Sequence, residues 1–109
     1  MRRITAIVRP TRLDPVLCAL DRAGVAGATV SLARGFGRQR GFHELHDGAG
    51  YADDLVAKLK VECAVSDDRF VEAVRALTRA ARTGRVGDGK IWIERVQDAA
   101  EIGAAPAGF

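Results

Sequence analysis

The stretch RTGRVGDGKIWI, residues 82–93, concentrates groups able to bind an anion. From Gly84 it reads G-x-x-x-x-G-K, one residue short of a phosphate-binding P-loop, and Ile91 stands where that loop needs Ser or Thr for magnesium. A P-loop runs from strand through glycines into a helix, whose N-terminus holds the phosphates. Here a helical pattern precedes the glycines and Lys90 opens a β-branched run, so the order is reversed and a Walker site is excluded. Gly84, Gly87 and Gly89 still allow successive backbone N–H groups to converge on an anion. Lys90, Arg82 and Arg85 supply positive charge. A basic turn with no ligand fits the same residues equally well, so local sequence leaves both readings open.

A second glycine-rich stretch, RGFGRQRG at 34–41, interleaves three glycines with three arginines and Gln39. It too suits an anion surrounded by N–H donors and cations, or a solvated loop. His43 and His46 lie three apart beside Glu44 and Asp47, but no helical pattern holds them and no further histidine completes a metal set. Tyr51, the sole tyrosine, sits between Gly50 and Ala52 with little to pack against, which predicts exposure. No Ser-His-Asp or Cys-His grouping is legible, and the carboxylates are scattered. A binding protein is expected rather than an enzyme.

The elements that must position these stretches follow from periodicity. Residues 3–8, RITAIV, are a β-branched run ending at Pro10 and read as a strand. Thr11 and Asp14 resemble a capping box, Leu13, Val16, Leu17 and Leu20 repeat at helical spacing, and Gly24 supplies the stop. Residues 28–34 alternate as a strand; periodicity is then lost from Gly35 to about Leu55, and so long a gap within a compact domain points to function. Residues 59–65, LKVECAV, alternate again. Ser66 or Asp67 then caps a helix with Phe70, Val71, Val74 and Leu77 as its buried stripe, and KIWIERV closes as a strand.

The order β-α-β-(long loop)-β-α-β predicts an α+β fold, a ferredoxin-like β-α-β-β-α-β sandwich with the long loop between strands 2 and 3. Both helices are expected to cover the sheet face carrying Ile4, Val30, Val61, Cys63 and Ile93. Thr5, Ile7, Ser31, Glu62 and Trp92 would line the other face, whose mixed character suits cover by another subunit.

The chain has 109 residues, enough for one domain, and a formal net charge of +3. That balance favours anionic ligands as a class, while the absence of a long basic run argues against nucleic acid. With no apolar run near 18 residues and no signal-type h-region, no direct membrane insertion is expected and a cytoplasmic location is the default. Cys18 and Cys63 lack C-x-x-C spacing and sit in apolar patterns, which predicts two buried thiols.

Several stretches together resemble one family, the PII signal-transduction proteins of nitrogen regulation. They are IVRP at 7–10, GVAGATV at 24–30, GFGRQRG at 35–41, Tyr51 within GAGYADD, KLKVE at 58–62 and TGRVGDGKIWI at 83–93, in the family's order and spacing. The resemblance implies a homotrimer of single PII-like domains, residues 1–109, with a T-loop at about 37–55 and a C-terminal tail at 97–109. It implies ATP or ADP in clefts between subunits, and 2-oxoglutarate bound alongside Mg-ATP. Carried over by position, Thr29, Glu62 and Ala64 would hold adenine, and Gly35, Gly37, Arg38, Gly87, Asp88, Gly89 and Lys90 would meet ribose or phosphates. Gln39 would ligate magnesium, Gln39, Gly41 and Lys58 would hold 2-oxoglutarate, and Tyr51 would match a tyrosine that some members have uridylylated or adenylylated. The T-loop would contact a target such as an ammonium channel or a nucleotidyltransferase.

The chain departs from the family after its last strand. Where the family carries a basic R-I-R whose arginines reach the phosphates, this sequence has Glu101, Ile102 and Gly103, with no basic residue after Arg95. The departure implies weaker nucleotide binding, or a shift from ATP toward ADP or AMP. It also keeps open a specialised PII-like sensor of adenine nucleotide state or of another small anion, such as bicarbonate.

Overall fold

The computed structural model describes residues 1–35 and 56–103. The T-loop with Gly37, Arg38, Gln39, Gly41, His43, His46 and Tyr51, and the tail from 104 onward, lie outside the described residues. Strand β1 spans Arg2–Val8, a 3-10 turn Pro10–Arg12, helix α1 Leu13–Arg22 and strand β2 Thr29–Gly35. Strand β3 spans Val56–Val65, helix α2 Phe70–Ala81 and strand β4 Gly89–Arg95. The sheet order is β2-β3-β1-β4 with every neighbouring pair antiparallel, the ferredoxin-like arrangement.

Strand β1 lies inside the sheet because RRITAIV satisfies both of its edges and alternates cleanly. Ile4, Ala6 and Val8 are buried under the helices, opposite Cys63, Val61 and Leu59 of β3. Helix α1 contributes Val16 and Leu20 to this core, and α2 contributes Ala73, Leu77 and Ala81. Alanines at 73 and 81 let α2 approach the sheet closely; Val71, expected in the stripe, is instead 47% exposed. Val30 and Ile93 share the helix-side face as expected, yet are 38% and 41% exposed. They sit on the two edge strands, which two helices centred over β1 and β3 do not cover.

The helix ends correct two sequence expectations. Arg12, not Thr11, is the N-cap of α1, with no side-chain cap hydrogen bond, because the 3-10 turn at Pro10–Arg12 leads straight into the helix. Arg69 caps α2, again without a side-chain bond. Asp67 instead lies 3.0 Å from the Met1 amino group and 3.3 Å from Arg2 Nε. The C-terminus of α1 behaves as the sequence implies. Gly24 has φ +82, its N–H reaches the Asp21 carbonyl, and the Val25 N–H reaches that of Leu20, closing a Schellman motif. Arg12 Nε donates to the Ala80 carbonyl (2.8 Å), satisfying a free acceptor in the last turn of α2. Cys63 is buried, and burial pushes its thiol pKa up, but Cys18 is exposed on α1 rather than buried. Its position falls on the face of α1 turned from the sheet.

The entry to β4 is the tightest point of the fold. Gly89 has φ +123, and a Cβ built there would stand 1.8 Å from the Ile7 carbonyl oxygen. Only a residue without a side chain lets the loop after α2 drop onto β1 in this register, with Gly89 opposite Val8. Gly27 has open space around it. Gly89→Ala is expected to destabilise the chain by about 2–4 kcal/mol, and Gly27→Ala by less than about 0.5 kcal/mol. Urea unfolding of the two variants compares them directly.

Candidate functional site

Beyond α2 the chain turns through Thr83–Asp88 around one carboxylate. Asp88 accepts from the Thr83 N–H (2.8 Å), the Gly84 N–H (2.9 Å) and the Thr83 hydroxyl. Its fourth donor is Arg9 Nε at 2.9 Å, from the residue just past the end of β1. The same guanidinium donates through Nη2 to the Val86 carbonyl (2.8 Å). Lys58, at the far side of this cluster on β3, donates to the Gly87 carbonyl. Both sides of the glycine segment are therefore tied to the sheet, one by Arg9 and one by Lys58.

This wiring leaves specific groups available. Among the described residues the N–H groups of Val86, Gly87 and Asp88 have no hydrogen-bond partner. Gly84 and Gly87 have φ of +87 and +93, which bends successive peptide N–H groups toward a common side. Lys58 is only 9% exposed, and desolvation, with Arg9 adding to it, holds its pKa below the ordinary lysine value while Asp88 opposes the shift. Two cations thus share one carboxylate in a partly dry setting, an arrangement that an added anion would relieve. Lys90 stands further along the same face, its ammonium 5.1 Å from the Trp92 ring centre.

Asp88 itself is turned inward, onto Thr83, Gly84 and Arg9. The resemblance placed it among phosphate or ribose contacts; the geometry gives its carboxylate the task of shaping the loop. Arg9 and Thr83 escape a reading by motif. Arg9 was visible only as part of IVRP, and its signal is a cation immediately before a proline at a strand end. Thr83, five residues before Asp88, has the spacing of a side chain that closes a loop.

Thr29, Glu62 and Ala64 form a separate group at the opposite end of the sheet. Together with Arg3, Gly27 and Val96 they border a hollow of ≈ 540 Å³ on the face away from the helices. The register sets Thr29 beside Glu62, Glu62 beside Thr5, and Thr5 beside Trp92 across the sheet. Lys58 and Ala64 are six residues apart on β3, a span of about 20 Å. The structure therefore brings Asp88, Gly87, Gly89, Lys90 and Lys58 together, and Thr29, Glu62 and Ala64 together, but not the two groups with each other. Gly35 ends β2, at the end of the sheet where β3 begins, opposite Val56. Among the described residues no group of three or more His, Cys, Asp or Glu is placed to hold a metal ion, and no helix is long and apolar enough to cross a membrane.

The loop's response to acid follows from Asp88. Hydrogen bonds from Thr83, then from Arg9 and the backbone, hold its carboxyl well below the ordinary value of 3.8. A carboxyl depressed in the folded state stabilises fully above its unfolded value, and that contribution is lost as pH falls through the folded one. The Thr83 and Gly84 amide resonances are expected to hold constant from pH 7 down to about 4 and to move only in stronger acid. Asp88→Asn is expected to displace both resonances already at pH 7, read by 1H–15N spectroscopy.

A family model described as nitrogen regulatory protein P-II matches residues 1–104. The chain is 44% identical over 109 residues to the nitrogen regulatory protein P-II of Bradyrhizobium diazoefficiens, covering 100% of this chain and 97% of that protein. It is 43% identical over 109 residues to the protein of that name from Rhizobium meliloti, covering 100% and 97%. With that of Nostoc punctiforme the identity is 46% over 102 residues, covering 94% and 91%. A glycine loop clamped by a carboxylate, a sheet of order β2-β3-β1-β4 and a match over nearly the whole sequence lead to one assignment: the chain belongs to the P-II nitrogen regulatory family.

Proposed function

We propose that this chain is a non-catalytic, cytoplasmic signal-transduction protein of nitrogen and carbon regulation. It binds ATP or ADP, and 2-oxoglutarate with Mg-ATP, in clefts between the subunits of a homotrimer. Nucleotide and 2-oxoglutarate together set the conformation of the T-loop, which controls a partner protein. Its relatives' shared name, nitrogen regulatory protein P-II, supports the regulatory class.

The observation that carries this reading is the cationic glycine cradle. Arg9 and Lys58 flank a loop whose N–H groups at 86–88 point to no partner among the described residues. Phosphate oxygens are suited to that combination, since backbone donors and fixed cations complement dispersed negative charge. Lys58 is the cation for a 2-oxoglutarate carboxylate, and Gln39 supplies a magnesium ligand from the T-loop base. Gly35, Gly37 and Arg38 add ribose and phosphate contacts, and Gly41 adds a 2-oxoglutarate contact.

The separation of the two residue groups supports a cleft between copies. An adenine held at Thr29, Glu62 and Ala64 of one copy meets phosphates held at Gly87–Lys90 of the next. The face between them is mixed, with ion pairs Arg3–Glu94 (2.8 Å) and Lys60–Glu62 (3.1 Å) beside the half-exposed Trp92. Such a face suits burial against other copies of itself better than permanent exposure. Binding energy that differs between ATP and ADP then biases the T-loop, and Tyr51 within it offers a hydroxyl for modification.

Isothermal titration tests the reading. ATP and ADP are expected to bind, and 2-oxoglutarate is expected to release heat only when magnesium and ATP are both present. Lys58→Met is expected to weaken 2-oxoglutarate at least about tenfold, the loss of one charge-assisted contact. Binding of 2-oxoglutarate without nucleotide, or no heat with any nucleotide, contradicts the proposal.

A further inference from the structure

Charge is segregated along the open face of the sheet. At the glycine end, Asp88 neutralises Arg9 through a 2.9 Å ion pair, and Lys58 and Lys90 remain in excess. At the Thr29 end the balance has the opposite sign. Arg3 is matched by Glu94 and Lys60 by Glu62, and beyond Arg95 the chain carries only acids, Asp98 and Glu101. Asp98 is occupied in accepting the Ala99 N–H (2.8 Å). Glu101 is exposed and has no ion-pair partner among the described residues.

The position of Glu101 matters because Ala99 borders the same hollow as Thr29, Glu62 and Ala64. Glu101 follows two residues later, within about 7 Å of chain from that hollow. When the Thr29 end of one copy meets the glycine end of another, unlike net charges face each other. Glu101 then enters the cleft from the copy that holds the base, close to the phosphates held by its neighbour.

We propose that Glu101 sets the charge selectivity of this cleft, disfavouring ATP relative to ADP and AMP. The inference rests on the nucleotide-cleft reading given above and adds its preferred ligand. A carboxylate near the phosphate path repels each ligand in proportion to its charge. The penalty is therefore larger for a triphosphate than for a diphosphate, and smallest for a monophosphate. The same carboxylate is attracted to the excess cations of the empty cradle, so it also competes with an incoming phosphate. In this chain the nucleotide site reports adenylate that has lost phosphate, rather than ATP alone.

Calorimetric titrations of ATP, ADP and AMP into the full-length chain, and into Glu101→Gln and Glu101→Arg, test this. Magnesium and salt are held constant. Wild type is expected to bind ADP at least as tightly as ATP. Glu101→Arg is expected to raise the ATP-to-AMP affinity ratio by about tenfold, and Glu101→Gln by a smaller factor in the same direction. Glu101 is exposed past the last strand, so unliganded thermal unfolding of both variants is expected to match wild type. If nucleotides bind but the ratio moves less than threefold in Glu101→Arg, the selectivity proposal is overturned while the cleft stands. If neither wild type nor variant binds any of the three, the cleft reading itself falls, and this proposal with it.

Discussion

The carboxylate of Asp88 is the constraint around which the functional end of this protein is arranged. It collects two backbone N–H groups and a hydroxyl from residues 83 and 84, then spends its remaining capacity on Arg9. Because Arg9 follows directly from β1, an interior strand of the sheet, the loop after α2 is pinned to the middle of the fold rather than left at its edge. The pinning in turn forces Gly89 against the Ile7 carbonyl, where no Cβ fits, and starts β4 in register with β1. Lys58 then meets the Gly87 carbonyl from the other side. Loop shape, strand register and surplus positive charge are three results of one local arrangement.

The sequence revealed most of this architecture through periodicity, and missed what depends on three-dimensional partners. Alternation in RITAIV and LKVECAV placed β1 and β3 and their buried faces correctly, because both strands lie inside the sheet and each buries one face under helices. The same alternation overstated the burial of Val30 and Ile93, since a pattern identifies a face but not whether a helix reaches the edge strand carrying it. Caps were misassigned for a similar reason. Asp67 has the chemistry of a cap, yet the N-terminal ammonium and Arg2 lie closer and offer charge as well as hydrogen bonds. The glycine segment was legible as an anion site or a turn. Only the positions of Arg9 and Thr83, remote or unremarkable in sequence, show why it holds one shape.

The division of the expected site carries the functional argument furthest. Glycines and lysines lie at one end of the sheet face, Thr29, Glu62 and Ala64 at the other, and a strand of about 20 Å separates them. A single nucleotide meets both ends most simply where two copies meet, so assembly and ligand binding become one event in the proposal. Membership in the P-II family is independent of that step, resting on a match across residues 1–104. What the chain's own residues add is a polarity: a cationic end built by Asp88, Arg9 and Lys58, and an acidic end that closes on Glu101.

The most direct test of the central claim, that residues 83–90 form a phosphate cradle completed by a second copy, is amide mapping with a bound nucleotide. ADP added to uniformly 15N-labelled protein is predicted to shift the amides of Val86–Lys90 most, together with those of Thr29 and Ala64. Two separated stretches moving at one ligand concentration would locate phosphate and base at opposite ends of the sheet. Shifts confined to one end, or absent from residues 86–90 at saturating ADP, would contradict the account.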